Sequence, residues 1–585
     1  MNAFLFLRGL KRIPYFQIGF ILTLGICFLP LLPGLAGLLL SALGFIPALN
    51  QYHFSLLGFY QLLSWPGITQ SILSTLLVTL ASTLLTTLLA FSIVQSCWHS
   101  RWWKKIENLL APILALPHVA FAVGFAFLFS TSGFLARIAQ LLNESTTFSD
   151  WEIIHNQYGL GLIFALTIKE IPFIIFMSIP IFKQLNVDKT VQIGQSLGYS
   201  RDQVWQKIIF PQWLPKIRFS LFAIMAYSLS VVDVSLVIGP TNPPTLPVLL
   251  WSWLNDANLF TLPKASAGAF LLLLSCIVLV YLIRFLEWLI AKRCQGWQVN
   301  GRFALPTMGK SVILITYAIS FATLLILFTW SFVQRWSYPD IIPTQWSGRF
   351  WLQEWDYLWT ITKNSALLAI ASATIALICV LILHENNAQS KTSNNTKTSK
   401  VSLRFPLPAL LIFIPILAPQ ISLLFGMQVA TLYIASQHYY LWVIWSHIFF
   451  AFPYLYLALD GPWRSYDQRL DKVSLSLGMS PIKVWWKIKM PILLPAILFA
   501  WAIAISVSLA QYLPTMMLGA GRISTLTTEA VALASGQDRR ISAIYALMQS
   551  LLPALFFILA IIIGRKTGKL ENRTRSCDKN DIITQ

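Results

Sequence analysis

The sequence predicts an all-α polytopic membrane protein with about twelve transmembrane helices in two parallel repeats. Three observations favour this fold class: an apolar composition, a series of long apolar runs, and a segment that occurs twice. Of the 585 residues, 56% are hydrophobic and 11% are charged, whereas soluble domains carry about 25% charged residues. So few charges exclude a soluble enzyme, and so much apolar surface excludes a disordered chain.

A membrane-spanning helix needs about 20 predominantly apolar residues. Runs of this kind lie near 16–45, 69–96, 107–131, 158–182, 213–240, 266–291, 310–333, 363–384, 405–432, 438–461, 493–518 and 540–564. The first run is long enough for a helix plus a re-entrant or interfacial piece. It is also longer than the apolar region of a signal peptide, so we expect no cleavage there.

Lysine and arginine accumulate on the cytoplasmic side of membrane proteins. With both termini placed inside, the inner segments hold 32 Lys and Arg residues and the outer segments hold 7. The net charge of +20 therefore marks a cytoplasmic face beside the lipid bilayer rather than a nucleic-acid groove. Residues 385–404 are rich in Ser, Thr and Asn, which predicts a flexible cytoplasmic loop.

One inner segment is duplicated. Residues 196–217 and 476–497 are identical at 12 of 22 positions without a gap, at a constant offset of 280. The offset persists beyond the next predicted span, where it pairs Gly239 with Gly519. Both copies lie in inner loops, so the two halves have the same orientation in the membrane.

The duplicated residues specify a helix, a turn and a second helix. Gly198 suits a left-handed position that ends one helix, and Ser200 with Gln203 forms a capping box for the next. Ser480 is the equivalent cap, with Pro481 at the first helical position. We expect the second helix to present an apolar face and to end at a proline. That face either docks a partner or rests on its own bundle or the bilayer interface. The residues of this frame are Gly198, Ser200, Trp205, Ile208 and Pro211 in the first copy, and Gly478, Ser480, Trp485, Ile488 and Pro491 in the second.

These segments resemble the EAA loop of type I permeases from binding-protein-dependent ABC importers. The Gly, the apolar positions and the Pro match in both copies. The Glu-Ala-Ala positions differ, because 192–194 read Gln-Ile-Gly and 472–474 read Lys-Val-Ser. The whole chain resembles a fused double permease, and 232–251 is similar to the corresponding segment of the ferric-iron and thiamine group.

The resemblance implies two permease repeats, 1–300 and 301–585, with cytoplasmic ATPase-coupling loops at about 186–212 and 466–492. The ten frame residues would transmit motion, with Trp205 and Trp485 as apolar knobs. ATP hydrolysis would occur on a separate ABC ATPase subunit, present in two copies. A periplasmic substrate-binding protein would deliver a small solute such as thiamine or ferric iron through the bacterial inner membrane. The chain itself would have no catalytic residue, cofactor or metal.

Two other functions remain open. A secondary transporter with 6+6 helices, driven by an ion gradient, would explain the spans and the repeat, but not the long capped loops. A membrane enzyme would need a polar cluster near one face, which the sequence does not suggest. Residues 304–311 match a relaxed phosphate-loop pattern, but Pro306 interrupts it and a membrane span follows, so we expect no nucleotide there.

Ionisable residues within spans are costly and indicate function. Asp233 is the candidate residue of the substrate pathway, where a carboxylate would favour a cation. The alternative role for Asp233 is a structural contact with a neighbouring helix or a helix end. Glu170 follows Lys169 directly, so these two side chains do not face each other and Glu170 could pair elsewhere; we expect a structural role.

The remaining polar residues in the spans are expected to be structural. Arg284 and Glu287 are three residues apart and are predicted to pair on one helix face. His118 and His447 are isolated in apolar runs and are predicted to be satisfied core residues.

Overall fold

The computed structural model describes residues 15–47, 50–98, 100–142, 152–294, 296, 303–305, 307–393, 409–431, 437–536 and 538–583. The first half contains helices α1 (Tyr15–Phe28), α2 (Leu31–Ala42), α3 (Leu57–Leu63), α4 (Ile68–Cys97), α5 (Trp103–Ala115), α6 (His118–Phe129), α7 (Phe134–Leu142), α8 (Leu160–Gln184), α9 (Val187–Ser196), α10 (Arg201–Val204), α11 (Phe210–Ser230), α12 (Asp233–Ile238), α13 (Leu246–Leu254) and α14 (Leu262–Arg293).

The second half begins with helix α15 (Gly309–Ser331) and a two-stranded antiparallel hairpin of β1 (Val333–Arg335) and β2 (Gln345–Trp346). Its further helices are α16 (Arg349–Ser393), α17 (Ala409–Leu417), α18 (Gln420–Thr431), α19 (Tyr439–Ser465), α20 (Arg469–Ser476), α21 (Pro481–Val484), α22 (Met490–Leu509), α23 (Leu513–Gly519), α24 (Leu526–Ala534) and α25 (Arg539–Ile583).

The predicted fold class is confirmed: the protein is an all-α polytopic membrane protein. Within the described residues, ten helices are long and apolar enough to cross a membrane, and the bent pair α17–α18 makes an eleventh candidate. Helix α11, which occupies the predicted fifth span, is less apolar because its first turns carry Lys216 and Arg218. With α11 included, the architecture accounts for the predicted number of spans.

Several predicted spans are broken rather than continuous. The helix expected at 107–131 stops before Pro117, and the one expected at 213–240 is interrupted at 231–232. Helices α17 and α18 meet at an angle of 106°. Non-helical backbone within a bilayer is tolerated only where protein or a cavity covers it. Val231 and Val232 meet this condition, since each is at most 4% exposed.

The two halves interlock through their first helices. Helices α1 and α2 pack against α16, α18 and α19 of the second half, and α15 packs against α4 and α6 of the first. Glycines permit the closest approaches. A Cβ on Gly124 of α6 would lie 2.7 Å from the carbonyl oxygen of Thr323 in α15. Each half therefore completes part of its core with a helix from the other.

The loop predicted at 385–404 is partly helical. Helix α16 continues to Ser393, and residues 394–404 lie outside the described part of the chain. An ion pair of 2.7 Å between Glu385 and Lys489 ties this extension to the second repeated loop. The polar composition predicted a loop because it did not reveal this long-range partner.

Gly426→Ala is expected to destabilise the protein. Gly426 of α18 contacts Gly34 and Gly37 of α2 so closely that an added Cβ would overlap the Gly34 carbonyl group. Overpacking of this kind costs about 1–3 kcal/mol, so the midpoint of thermal unfolding should fall. Gly25→Ala in α1 is the matched control, because nothing lies within 4 Å of its added Cβ. Equal midpoints for the two variants would contradict the close helix contact.

Candidate functional site

The repeated loops have the same backbone geometry. In the first, α9 ends at a turn in which Gly198 has φ +83°; in the second, α20 ends at a turn in which Gly478 has φ +82°. This is the left-handed conformation predicted for Gly198, and Gly478 adopts it too; L side chains adopt it at a cost. A short helix, α10 or α21, then begins in each copy.

The helix caps differ between the copies. The Ser200 hydroxyl accepts from the Gln203 amide at 3.3 Å, and the Gln203 side chain accepts from the Ser200 amide at 2.8 Å. This is the predicted capping box. Ser480 occupies the equivalent position but makes no side-chain cap bond, and Pro481 begins the helix as predicted. The second helix start therefore relies on the fixed φ of proline.

The prediction that Pro211 and Pro491 end these helices is wrong. A π-helical turn, Trp205–Ile209 or Trp485–Lys489, connects each short helix to the following membrane helix. The Phe210 amide bonds to the Trp205 carbonyl in the first copy. Because the wider turn brings the proline to the start of α11, its missing N–H leaves no internal bond broken. Each repeated loop is thus helically continuous with a membrane helix.

Trp205 does not form an exposed knob, contrary to expectation. Its side chain is fully buried, with its ring centroid 5.9 Å from Phe91 and 5.4 Å from Phe182. The apolar face of α10 therefore packs on α4 and α8 of its own bundle. In the second copy Trp485 is half-buried, while its neighbour Trp486 is 60% exposed.

The exposed apolar groups of the repeated loops lie elsewhere. Leu197 and Leu477, immediately before the two turn glycines, are 69% and 77% exposed. Ile193 and Val473, one helical turn earlier, are also exposed. We define these four residues as the loop apolar patch. The sequence contained a signal for it, since Leu197 and Leu477 belong to a Ser-Leu-Gly triplet shared by both copies.

Polar contacts attach the first repeated loop to neighbouring elements. Asp202 accepts from the Gln95 amide at 3.0 Å near the end of α4. Gln206 exchanges two hydrogen bonds with the backbone of Leu305, at 2.8 and 2.9 Å. Leu305 belongs to the phosphate-loop-like segment 304–311. Its described residues form no strand, and α15 begins within it at Gly309.

A second group of polar side chains lies within the membrane bundle, where the halves meet. We call it the midmembrane cluster. It consists of His118, Glu170, Tyr227 and Asp233 from the first half, and Tyr454 and Tyr512 from the second. His118 lies 2.9 Å from the Glu170 carboxylate, and its ring is 4.8 Å from that of Tyr227. Glu170 thus satisfies His118, as expected, although the His118 side chain is only partly buried.

Asp233 occupies this cluster at a helix break. It is the first residue of α12. It interacts electrostatically with His118, Tyr227 and Tyr512. At the offset of 280, its equivalent is Leu513, the first residue of α23. The acidic character at this break therefore belongs to one half.

The other intramembrane polar residues have structural contacts. The predicted pair of Arg284 and Glu287 is present at 3.4 Å, and Arg218 contacts Glu287 more closely. Lys169 donates to the Ile113 carbonyl at 2.8 Å, near the end of α5. His447 is buried between the hydroxyls of Ser508 and Thr515, as expected for a core residue. The pair of Arg218 and Glu287 could not be predicted from the sequence, because the two residues are far apart in the chain.

The polar groups near the midmembrane cluster do not include a metal centre among the residues that the structure describes. No group of three or more His, Cys, Asp or Glu side chains there could hold a metal ion. The cluster instead combines two carboxylates, an imidazole and three phenol rings. This chemistry suits a positively charged solute with an organic framework.

The chain is similar to permeases of ABC transporters. It is 28% identical over 531 residues to the inner membrane ABC transporter permease protein YnjC of Escherichia coli (strain K12), covering 90% of this chain and 94% of that protein. It is 23% identical over 216 residues to the putrescine transport system permease protein PotI of the same organism, covering 34% of this chain and 69% of PotI.

A shorter match, 30% identical over 80 residues, joins the chain to the molybdenum transport system permease protein ModB of Mycobacterium bovis, over 14% of this chain and 30% of ModB. No protein-family model matches the sequence. The relatives and the apolar helices together support a multi-pass inner-membrane protein, and its homologues are ABC transporter permeases.

Proposed function

We propose that the chain is the membrane-spanning subunit of an ATP-driven importer of the type I fold, with both permease repeats, 1–300 and 301–585, in one polypeptide. Two ABC ATPase subunits bind the repeated loops, and a periplasmic binding protein delivers the solute. Both termini are cytoplasmic, as the distribution of Lys and Arg indicates. The observation that carries the proposal is the duplicated helix–turn–helix loop, each copy continuous with a membrane helix.

In this mechanism the loop apolar patch contacts the ATPase subunits. The turn glycines Gly198 and Gly478 hold Leu197 and Leu477 outward, while the buried Trp205 anchors the first loop in its bundle. When ATP brings the two ATPases together, each loop moves with them. Because α10 and α21 continue into α11 and α22, this motion tilts the membrane helices that end beside the midmembrane cluster.

We propose that the transported solute is a small organic cation, for which thiamine is an example. Asp233 and Glu170 supply negative charge, and the tyrosines supply aromatic faces that attract cations. Ferric iron has less support. It requires several closely placed hard ligands, and among the described residues no three His, Cys, Asp or Glu side chains are placed to hold a metal ion. The relative PotI is named for putrescine, also an organic cation, but ModB is named for molybdenum, so relatedness alone does not determine the solute.

A secondary transporter with 6+6 helices is the alternative. It would not need the exposed, duplicated apolar patch on the cytoplasmic loops. Its uptake would survive ATP depletion and fail with an uncoupler, whereas uptake by the proposed importer would follow ATP.

The double variant Leu197→Asp, Leu477→Asp is expected to lose the ATPase subunits during gentle purification and to abolish ATP-dependent uptake. Two desolvated leucines would become carboxylates at the proposed interface, which buried contacts do not tolerate. The measurement is the amount of ATPase that elutes with the tagged chain. Ile342→Asp is the matched control, because Ile342 is 71% exposed in the outer β1–β2 connection. Full retention of the ATPase by the double variant would refute this docking site.

Asp233→Asn is expected to reduce uptake of an organic cation by about tenfold or more, equivalent to about 1.4 kcal/mol, while leaving ATPase binding intact. The amide keeps the size of the side chain but removes its charge. Uptake into vesicles, together with ATPase retention, checks this outcome. Asp256→Asn, in an exposed position after α13, is the control. Normal uptake by Asp233→Asn would remove Asp233 from the pathway.

A further inference from the structure

A cavity of about 380 Å³ lies at the end of the bundle opposite the repeated loops, between α7, the hairpin segment after α15 and the start of α25. Four arginines line it: Arg137, Arg335, Arg539 and Arg540. They are four of the seven Lys and Arg residues in the predicted outer segments. Their convergence is unusual on a face that is otherwise poor in positive charge.

Arg137 is buried in the wall of this cavity. It is 3% exposed, and its guanidinium donates to the backbone carbonyls of Ser337 at 2.8 Å and Asp340 at 2.6 Å. It also stacks on the Trp336 ring at 4.7 Å. These partners orient the group but are formally neutral. Within the described residues, no carboxylate lies at ion-pair distance from Arg137.

Arg539, the first residue of α25, faces the same space. It donates to the Ser132 hydroxyl at 2.7 Å, and its guanidinium lies 5.5 Å from the Trp330 ring. The described residues give it no ion pair either. Arg137 and Arg539 repel each other electrostatically. Burial of two like charges without a counterion is costly.

The nearby carboxylates do not balance these charges. Asp538 is held by Arg540 through two hydrogen bonds of 2.9 Å, which lower the pKa of its carboxyl and keep it ionised. Asp340 attracts Arg137 from a greater distance. Among the described residues, four guanidinium groups therefore face two carboxylates, which leaves an excess of two positive charges around the cavity.

We propose that this cavity binds an oxyanion, either a phosphate or a carboxylate group, between Arg137 and Arg539. The planar guanidinium fork matches the paired oxygens of such groups. The cavity volume lies within the range of about 300–1,000 Å³ typical of small-molecule sites. Trp330 and Trp336 line it beside the arginines and would contact an apolar part of the ligand.

The site joins the two halves of the chain. Ser132 and Arg137 belong to the first half, whereas the hairpin segment and the start of α25 belong to the second. A bound anion would therefore stabilise the contact between them on that face. Anion binding at this site is independent of the transported solute and of the energy source.

The test uses the purified full chain in an uncharged detergent, with inorganic phosphate as the probe at constant ionic strength. Phosphorus NMR should show saturable line broadening for the native chain. In Arg539→Gln the dissociation constant should rise by about tenfold or more, since a charge-assisted pair is lost. Arg539→Lys, which keeps the charge but loses the fork, should weaken binding to an intermediate degree.

Arg522→Gln is the matched control. Arg522 also lies in an outer segment, but it packs on the Tyr439 ring and does not line the cavity. The Arg522→Gln variant should bind phosphate with the same dissociation constant as the native chain. Arg539→Gln must retain the native thermal midpoint, and if it does not fold, Arg539→Lys provides the comparison.

A second arm identifies the source of the oxyanion. The chain is placed in nanodiscs of phosphatidylcholine, with or without phosphatidylglycerol, and retained lipid is measured by native mass spectrometry. The site binds a lipid headgroup if phosphatidylglycerol displaces phosphate and is retained by the native chain but not by Arg539→Gln. Phosphate binding that is equal in both nanodiscs assigns it to a free anion. Identical behaviour of native chain and Arg539→Gln in both arms would overturn the proposal.

Discussion

The bilayer imposes the constraint on which this architecture depends: each backbone N–H and C=O group must find a partner inside the protein. Continuous helices satisfy that condition wherever lipid is close. The breaks at 116–117, 231–232 and 510–512 therefore lie at buried positions, apart from the half-buried Ala510. Helix breaks expose amide groups and admit polar side chains, and Asp233 and Tyr512 lie at two of these breaks. The same constraint thus places the midmembrane cluster at the junction of the halves.

Local sequence predicted the parts of the repeated loops that depend on local physics. The positive φ of Gly198 and Gly478 and the Ser200 cap follow from single residues and their immediate neighbours. The burial of Trp205 did not follow, because it depends on Phe91 and Phe182, far away in the chain. Pro211 was interpreted as a stop, since a π-helical turn that accommodates proline has no distinctive sequence pattern.

The midmembrane residues illustrate the same limit. Asp233 was identified from sequence because a carboxylate within a span is costly in itself. His118 was expected to be satisfied, but its partner could not be named from sequence because Glu170 is 52 residues away. Arg218, the closer partner of Glu287, was missed for a similar reason. Charge and turn chemistry can be found in a single sequence, whereas pairing between helices requires the fold.

The interlocked first helices have a consequence for synthesis. Helices α4 and α6 pack on other helices of the first half, but they lack one of their partners until α15 has been made. Helices α1 and α2 have none of their second-half partners until α16, α18 and α19 have been made. During synthesis, part of the core of the first half is therefore exposed to lipid until the second half has been inserted. Joining the halves covalently ensures that the partner arrives at high effective concentration and in a one-to-one ratio. Fusion thereby replaces an encounter between two separate subunits with closure within one chain.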